Sequence, residues 1–250
     1  MRIDVLTLFP EMFDSVLEIS IPGRAQQAGL VELNAVDIRD YTEDKHRKVD
    51  DRPFGGGPGM VMMCQPIWDA VLATEALDPR PATRILMTPQ GRPLDQVTVE
   101  HLAVRERLLI IAGRYEGIDE RVIEKLEPLE ISVGDFVVSG GELPALLLID
   151  AVTRLVPGAL GHEDSATEDS FSAVDSSGQR LLDCPQYTRP REWKGLTPPE
   201  VLMSGHHGEV ERWRMEQRLR RTRERRPDLL RENEPTDRSR VRDESGNDEE

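Results

Sequence analysis

The sequence predicts an α/β protein built on a mostly parallel sheet, followed by a small C-terminal helical module. Three observations carry that expectation. Short runs rich in Val, Ile and Leu alternate with segments of helical periodicity over the first 155 residues. Three of those runs end in glycine-bearing turns. The periodicity then lapses, and a charged helical pattern dense in arginine follows. Alternating strands and helices imply parallel pairing with helices on both faces.

Each element has its own local reason. Arg2–Phe9 alternates and reads as a strand stopped by Pro10, with Asp4 interrupting its apolar character. Glu11–Ala28 has helical spacing through Met12, Val16 and Leu17, with a break expected at Pro22-Gly23. Val31–Ile38 is a second strand and Pro66–Ala76 a helix. Arg84–Met87, Leu108–Ala112 and Leu129–Val133 read as strands. Leu94–Val104, Ile118–Leu126 and Glu142–Leu155 read as helices. From Val156 to Asp183 periodicity vanishes in a stretch rich in Gly, Ser, Asp and Glu, which reads as a mobile linker. Pro198–Met203 and Glu209–Arg225 are the last helices. The expected division is a domain over 1–160, a linker over 161–183, a helical domain over 184–230 and an acidic tail over 231–250.

Composition narrows the function classes. The longest apolar run, Leu143–Ile149, contains a proline and is far short of a membrane span. The N-terminus lacks a signal-peptide cleavage pattern. The only cysteines are Cys64 and Cys184, with no C-x-x-C spacing, so neither a disulfide framework nor a structural zinc site is supported. A cytoplasmic protein with reduced thiols is expected. The net charge of −15 argues against a nucleic-acid partner, but the charge is unevenly spread. Residues 211–226 hold eight arginines against three glutamates, and 231–250 hold eight acids against four arginines. Lysine occurs only at Lys45, Lys48, Lys125 and Lys194, a bias that both a high-salt setting and a GC-rich genome produce.

The chemistry-bearing segments follow three strands. They are Thr88-Pro89-Gln90-Gly91, then Ala112-Gly113-Arg114-Tyr115-Glu116-Gly117-Ile118-Asp119, then Val133-Gly134-Asp135-Phe136-Val137-Val138-Ser139-Gly140-Gly141-Glu142. Ligands of parallel sheets bind beyond the carboxyl ends of strands, and glycine lets backbone approach them closely. None of the three matches a G-x-G-x-x-G or Walker A pattern. Any one of them also reads as an ordinary strand-to-helix turn, whereas three together point to a shared pocket. His206-His207 offers no third metal ligand. Trp213, in helical register with Val210, reads as core, and Trp193 as a surface that could stack on a base.

AGRYEGID, SVGDFVVSGGE, the PQYTRP and VLMSGHHGEVERWR segments, RRPDLL, and the opening DVLTLFP with RPFGGGPGM together resemble the TrmD family of tRNA (guanine-N1)-methyltransferases. The resemblance runs from Met1 to about Leu230. It implies a SPOUT-class sheet with a deep trefoil knot, a homodimer whose active sites are shared between subunits, and S-adenosylmethionine as methyl donor. A Mg²⁺ requirement has no support in the sequence. By the same resemblance Pro89, Gly113, Glu116, Val133, Gly134, Asp135, Phe136, Val137, Val138, Gly140 and Gly141 would bind the cofactor. Asp169 would be the general base and Arg154 its helper. The GGGPG segment at 55–59 would lie near the active site or the dimer interface. Judged by itself, Asp169 is one carboxylate among Glu163, Asp164, Glu168 and Asp175 in a polar stretch, where solvation is the plain reading. Arg154 by itself reads as a charge complementing a helix C-terminus. The expected activity is methyl transfer to N1 of the guanosine 3′-adjacent to the anticodon (position 37) of tRNA. A knotted methyltransferase acting on another RNA and a non-catalytic RNA-binding module are the alternatives.

Overall fold

The computed structural model describes residues 1–161 and 169–230. The chain divides into two compact units, Met1–Ala166 and Thr167–Glu250. The expected acidic tail, and Glu163, Asp164 and Glu168 of the polar stretch, lie outside the described residues.

The first unit runs β1 (Arg2–Thr7), α1 (Glu11–Leu17), α2 (Ser20–Gln27), β2 (Glu32–Asp37), β3 (Asp50–Asp51), β4 (Val61–Met62), α3 (Cys64–Ala76), β5 (Thr83–Pro93), α4 (Gln96–Ala103), β6 (Arg107–Ala112), α5 (Glu120–Leu126), β7 (Leu129–Ser132) and α6 (Glu142–Thr153). Five strands form one sheet in the order β2-β1-β6-β5-β7, and every pairing is parallel. Strand β6 shows why its sequence is apolar without alternation. Leu108, Ile110 and Ala112 join one core with Ile3, Val5, Ile85 and Leu148. Leu109 and Ile111 join the opposite core with Leu6, Leu86, Ile67 and Val71. A central parallel strand buries both faces, and each fully buried Leu or Ile contributes about 1.5–3 kcal/mol.

Asp4 is fully buried in β1 and is no interruption at all. Its carboxylate meets the equally buried Arg107 guanidinium at 3.1 Å and also accepts from Arg2 and Asn34. Arg107 directs its remaining donors to backbone carbonyls at and just after the end of α3, with Glu75 at 3.0 Å and Asp78 at 2.6 Å.

Three local expectations differ from the fold. The break between α1 and α2 falls at Glu18-Ile19, not at Pro22-Gly23. Pro22 lies in the first turn of α2, where a backbone N–H has no helical partner. Gly23 is needed because a Cβ there would come within 2.2 Å of the Glu18 carbonyl oxygen. The short antiparallel pair β3–β4 was not foreseen, since two-residue strands carry no periodicity. Strand β5 runs on to Pro93, well past Met87.

In the second unit, a 3-10 turn at Glu200–Met203 precedes α7 (His207–Arg225), and another at Pro227–Leu230 follows it. The buried residues of α7 are polar: Gln217, Arg218 and Thr222. Thr222 Oγ1 donates to the Arg218 carbonyl at 2.7 Å and accepts from the Leu182 N–H at 2.9 Å. Trp213 is half-buried, with its ring 6.4 Å from that of Tyr187. The stretch from Asp169 to Asp183, read from sequence as part of a mobile linker, carries its own hydrogen bonds. The Phe171 N–H donates to the Leu181 carbonyl at 2.7 Å, and the Leu181 N–H to Ala173 at 2.9 Å. Leu181 and Cys184 are buried. The apolar positions that anchor this segment are too few for a periodic signal. Both cysteines are free thiols. Among the described residues no helix is long and apolar enough to cross a membrane.

Candidate functional site

The carboxyl ends of β5, β6 and β7 surround a cavity of about 300 Å³. Strand β5 opens it. Met87 and Arg92 both register with Ile131 of β7, so Thr88-Pro89-Gln90-Gly91 is thrown out of the ladder as a bulge. Gly91 lets the chain return, because a Cβ there would stand 2.4 Å from the Ile131 nitrogen. The segment after β6 supplies Gly113, Glu116 and Ile118, and the segment after β7 supplies Val133, Gly134 and Phe136 to Gly141.

Backbone pairing holds these segments together. Arg114 and Gly140 form an antiparallel bridge, and the Gly141 N–H donates to the Gly113 carbonyl at 2.8 Å. A Cβ on Gly141 would lie 2.7 Å from Ala112 Cα, so only glycine permits this approach. The 60–62 segment pairs with the 116–119 segment: Glu116 N–H to Met60, Met62 N–H to Gly117, and Asp119 N–H to Met62, at 2.9–3.0 Å. That pairing sets Gly59, at the end of the GGGPG loop, against Glu116 of the cavity lining, and a Cβ on Gly59 would strike the Glu116 carboxylate at 2.2 Å.

Of the cofactor candidates, Pro89, Gly113, Glu116, Val133, Gly134, Phe136, Val137, Val138, Gly140 and Gly141 line the cavity. Asp135 is in the same segment but is exposed and outside the lining. Gly113 has ordinary room for a Cβ, with Ile118 at 3.5 Å. Arg154 is the C-cap of α6 in the first unit, its N–H donating to the Asp150 carbonyl at 3.1 Å. Asp169 belongs to the second unit, exposed, with its carbonyl accepting from the Ser172 N–H at 3.2 Å.

Several residues went unnoticed in the sequence. Arg114 lines the cavity, and Glu142, fully buried at the start of α6, lies against it. Both stand inside the quoted glycine segments, yet nothing in spacing pairs residues 28 apart. Asp119 caps α5, and its Arg121 partner holds the carboxyl well below the usual carboxylate range. Partial burial, then the charge of Asp119, pushes the Cys64 thiol up. Partial burial and the neighbouring Asp50 push the Tyr115 phenol up. Among the described residues no group of three or more His, Cys, Asp or Glu side chains is placed to hold a metal.

The arginine helix sorts into two sets. Arg218 is buried, 3.6 Å from Asp183 and 3.7 Å from Glu211, whereas Arg212, Arg220, Arg223 and Arg225 are exposed.

With this geometry in hand, comparison with known proteins is specific. Residues 1–232 match the model of the tRNA (Guanine-1)-methyltransferase TrmD family. A protein of Ruminiclostridium cellulolyticum named tRNA (guanine-N(1)-)-methyltransferase is 56% identical over 231 residues, covering 92% of this chain and 96% of that protein. One of the same name from Halorhodospira halophila is 56% identical over 229 residues, covering 92% and 84%. One from Escherichia coli O139:H28 is 53% identical over 230 residues, covering 92% and 88%. The chain belongs to the TrmD family.

Proposed function

Proceeding from that membership, we propose that the chain transfers a methyl group from S-adenosylmethionine to N1 of the guanosine 3′-adjacent to the anticodon of tRNA. The observation that carries this reading is the cavity between three glycine-bearing segments at the carboxyl edge of the sheet. Its volume stands at the lower end of small-molecule sites, roughly 300–1,000 Å³. Its lining suits the donor: Ile118, Val133, Val137, Val138 and Pro144 offer apolar surface, and Thr88, Gln90, Glu116 and Ser139 offer polar groups. The bound donor would supply an electrophilic methyl on sulfur.

The crossing of these segments is read as a deep trefoil knot. The β5 excursion past Ile131 and the seating of Gly141 on Ala112-Gly113 support it. The functional division is cofactor binding over 1–160, a connection over 161–183 and tRNA binding over 184–230. A cytoplasmic homodimer completes the reading. In its support, α6 and the adjacent α1 region leave Leu143, Leu147, Val16 and Ile19 exposed.

Guanine N1 bears a proton at neutral pH, so a base must remove it as the methyl arrives. Asp169 is assigned that proton. Arg154 is assigned to the negative charge that grows on O6. The target base must leave its stack to reach the cavity. Exposed Arg220 and Arg223 would meet phosphates, offsetting the net charge of −15 locally.

The test is a methylation assay on unmodified tRNA transcript followed by nucleoside mass spectrometry. 1-Methylguanosine, lost when that guanosine is replaced by adenosine, is expected. Methylation of another RNA or another base overturns the assignment. Asp169→Ala should lower kcat on the order of 100-fold or more with cofactor affinity unmoved, and near wild-type turnover would mean that another group takes the proton.

A further inference from the structure

Four side chains close a ring behind the cavity wall. The Glu142 carboxylate, 1% exposed, accepts from the Thr7 hydroxyl at 3.0 Å through one oxygen. Its other oxygen is 2.9 Å from Arg114 Nε. The Arg114 guanidinium lies 4.4 Å from the centre of the Phe9 ring. The Phe9 N–H returns to the Thr7 hydroxyl at 2.9 Å. One member of this ring reaches the cavity segment directly, for Arg114 Nη1 donates to the Ser139 carbonyl at 3.2 Å.

Two features separate this ring from ordinary packing. First, α6 starts from Gly141, which has no side chain to cap it, and the Glu142 carboxylate in its first turn does not serve as a cap. It is turned instead toward Thr7 and Arg114. Second, the Arg114–Glu142 pair is close yet misaligned, so neither Nε nor Oε2 completes a hydrogen bond although both are buried. A buried charge left short of a partner is retained against its desolvation penalty. Gly140 is seated on the same pair. A Cβ there would stand 2.3 Å from Arg114 Nε and 2.5 Å from Glu142 Oε2.

We infer that Glu142 is a positioning residue that acts through Arg114, setting the Ser139–Gly141 segment at the spacing from Gly113 that cofactor binding requires. The inference rests on the reading of the cavity as the S-adenosylmethionine site. Thr7 fixes the carboxylate from β1, Phe9 fixes the plane of the guanidinium, and Arg114 transmits both to the cavity wall. A neutral side chain at 142 keeps the shape and an acceptor for Thr7 but releases the guanidinium.

Calorimetric titration of the full chain with S-adenosylhomocysteine tests this, alongside steady-state kinetics and thermal unfolding. Glu142→Gln should weaken affinity about 10-fold or more, a loss of roughly 1.4 kcal/mol of binding. The KM for S-adenosylmethionine should rise more than kcat falls. Thr7→Val leaves both charges in place and should weaken affinity in the same direction by less. It also decides the matter if Glu142→Gln does not fold. Combining Glu142→Gln with Arg114→Gln should add little to the larger single effect. Wild-type affinity in both Glu142→Gln and Thr7→Val, with only the melting temperature lowered, would make the ring structural and overturn the inference. Failure of the wild-type chain itself to bind S-adenosylhomocysteine would instead overturn the reading of the cavity, and the positioning role with it.

Discussion

Two Arg–carboxylate pairs, one fully buried and one with a part-buried arginine, stand at opposite edges of the same sheet, and they are satisfied to different degrees. At the amino edge, Arg107 and Asp4 are both inaccessible. The guanidinium bonds the carboxylate and the carbonyls that end α3, while Arg2 and Asn34 complete the carboxylate. At the carboxyl edge, Arg114 and Glu142 approach to 2.9 Å without alignment, and a cavity lies against them. The desolvation penalty applies to both pairs, but only the first is fully repaid by hydrogen bonds. The saturated pair locks strand and helix ends in place. The unsaturated pair stands at the edge that carries the cavity.

The comparison breaks most visibly at Arg107. Arg107→Met leaves Asp4 buried with Arg2 and Asn34 as its remaining partners. It should destabilise the protein by about 3 kcal/mol, the low end for breaking a buried pair. The folded fraction should retain cofactor affinity. Urea unfolding with parallel calorimetry checks this, and lost affinity without lost stability would erase the contrast between the two edges.

Next in size are the glycines of the cavity. Gly141→Ala forces a Cβ against Ala112 and should cost about 1–3 kcal/mol in overpacking strain. Gly113→Ala meets only Ile118 at contact distance and should be near neutral in stability, while Gly113→Val should abolish cofactor binding. Equal melting temperatures for Gly141→Ala and Gly113→Ala would contradict the observed approach of segments.

The arginine helix offers the same contrast in the second unit. Arg218→Ala should lose about 1–2 kcal/mol, discounted because Asp183 and Glu211 are partly exposed. Arg220→Gln with Arg223→Gln should leave stability alone and raise the tRNA KM, with the difference shrinking as salt rises. An unchanged KM in the double variant would move the phosphate contacts elsewhere.

The smallest effect concerns acid. Arg121 depresses the folded-state pKa of Asp119, so this carboxylate stabilises the fold above its unfolded value near 4 and loses that contribution as pH falls below it. Asp119→Asn should therefore cost under about 1 kcal/mol at neutral pH, because its Arg121 partner is largely exposed and screened. The gap from wild type should narrow progressively as pH falls below about 4. A gap that widens in acid would reverse the sign of the linkage.

Much of the fold was legible locally. The apolar run at Leu108–Ala112 told of a strand buried on both faces, and the glycines after three strands told of a pocket at their carboxyl ends. Resemblance, rather than spacing, singled out Asp169 and Arg154, because a lone carboxylate in a polar stretch and a cation at a helix end carry no signal of their own. The pairings across long separations were invisible: Asp4 with Arg107, Thr7 with Glu142, Arg114 with Glu142. Their chemistry needs no periodicity, only proximity.

By itself the sequence determined the main strands and helices of the sheet domain, where glycine lets backbone approach backbone, and where cationic charge concentrates. Those are properties of a residue and its near neighbours: periodicity, a missing Cβ, a local excess of arginine. Tertiary structure alone decided which buried charges meet, that the GGGPG loop reaches Glu116, and that Arg218 is a core residue while Arg220 is not. A parallel sheet joins distant segments edge to edge, and whether a charge is solvated, saturated or left one bond short depends on which segments it joins.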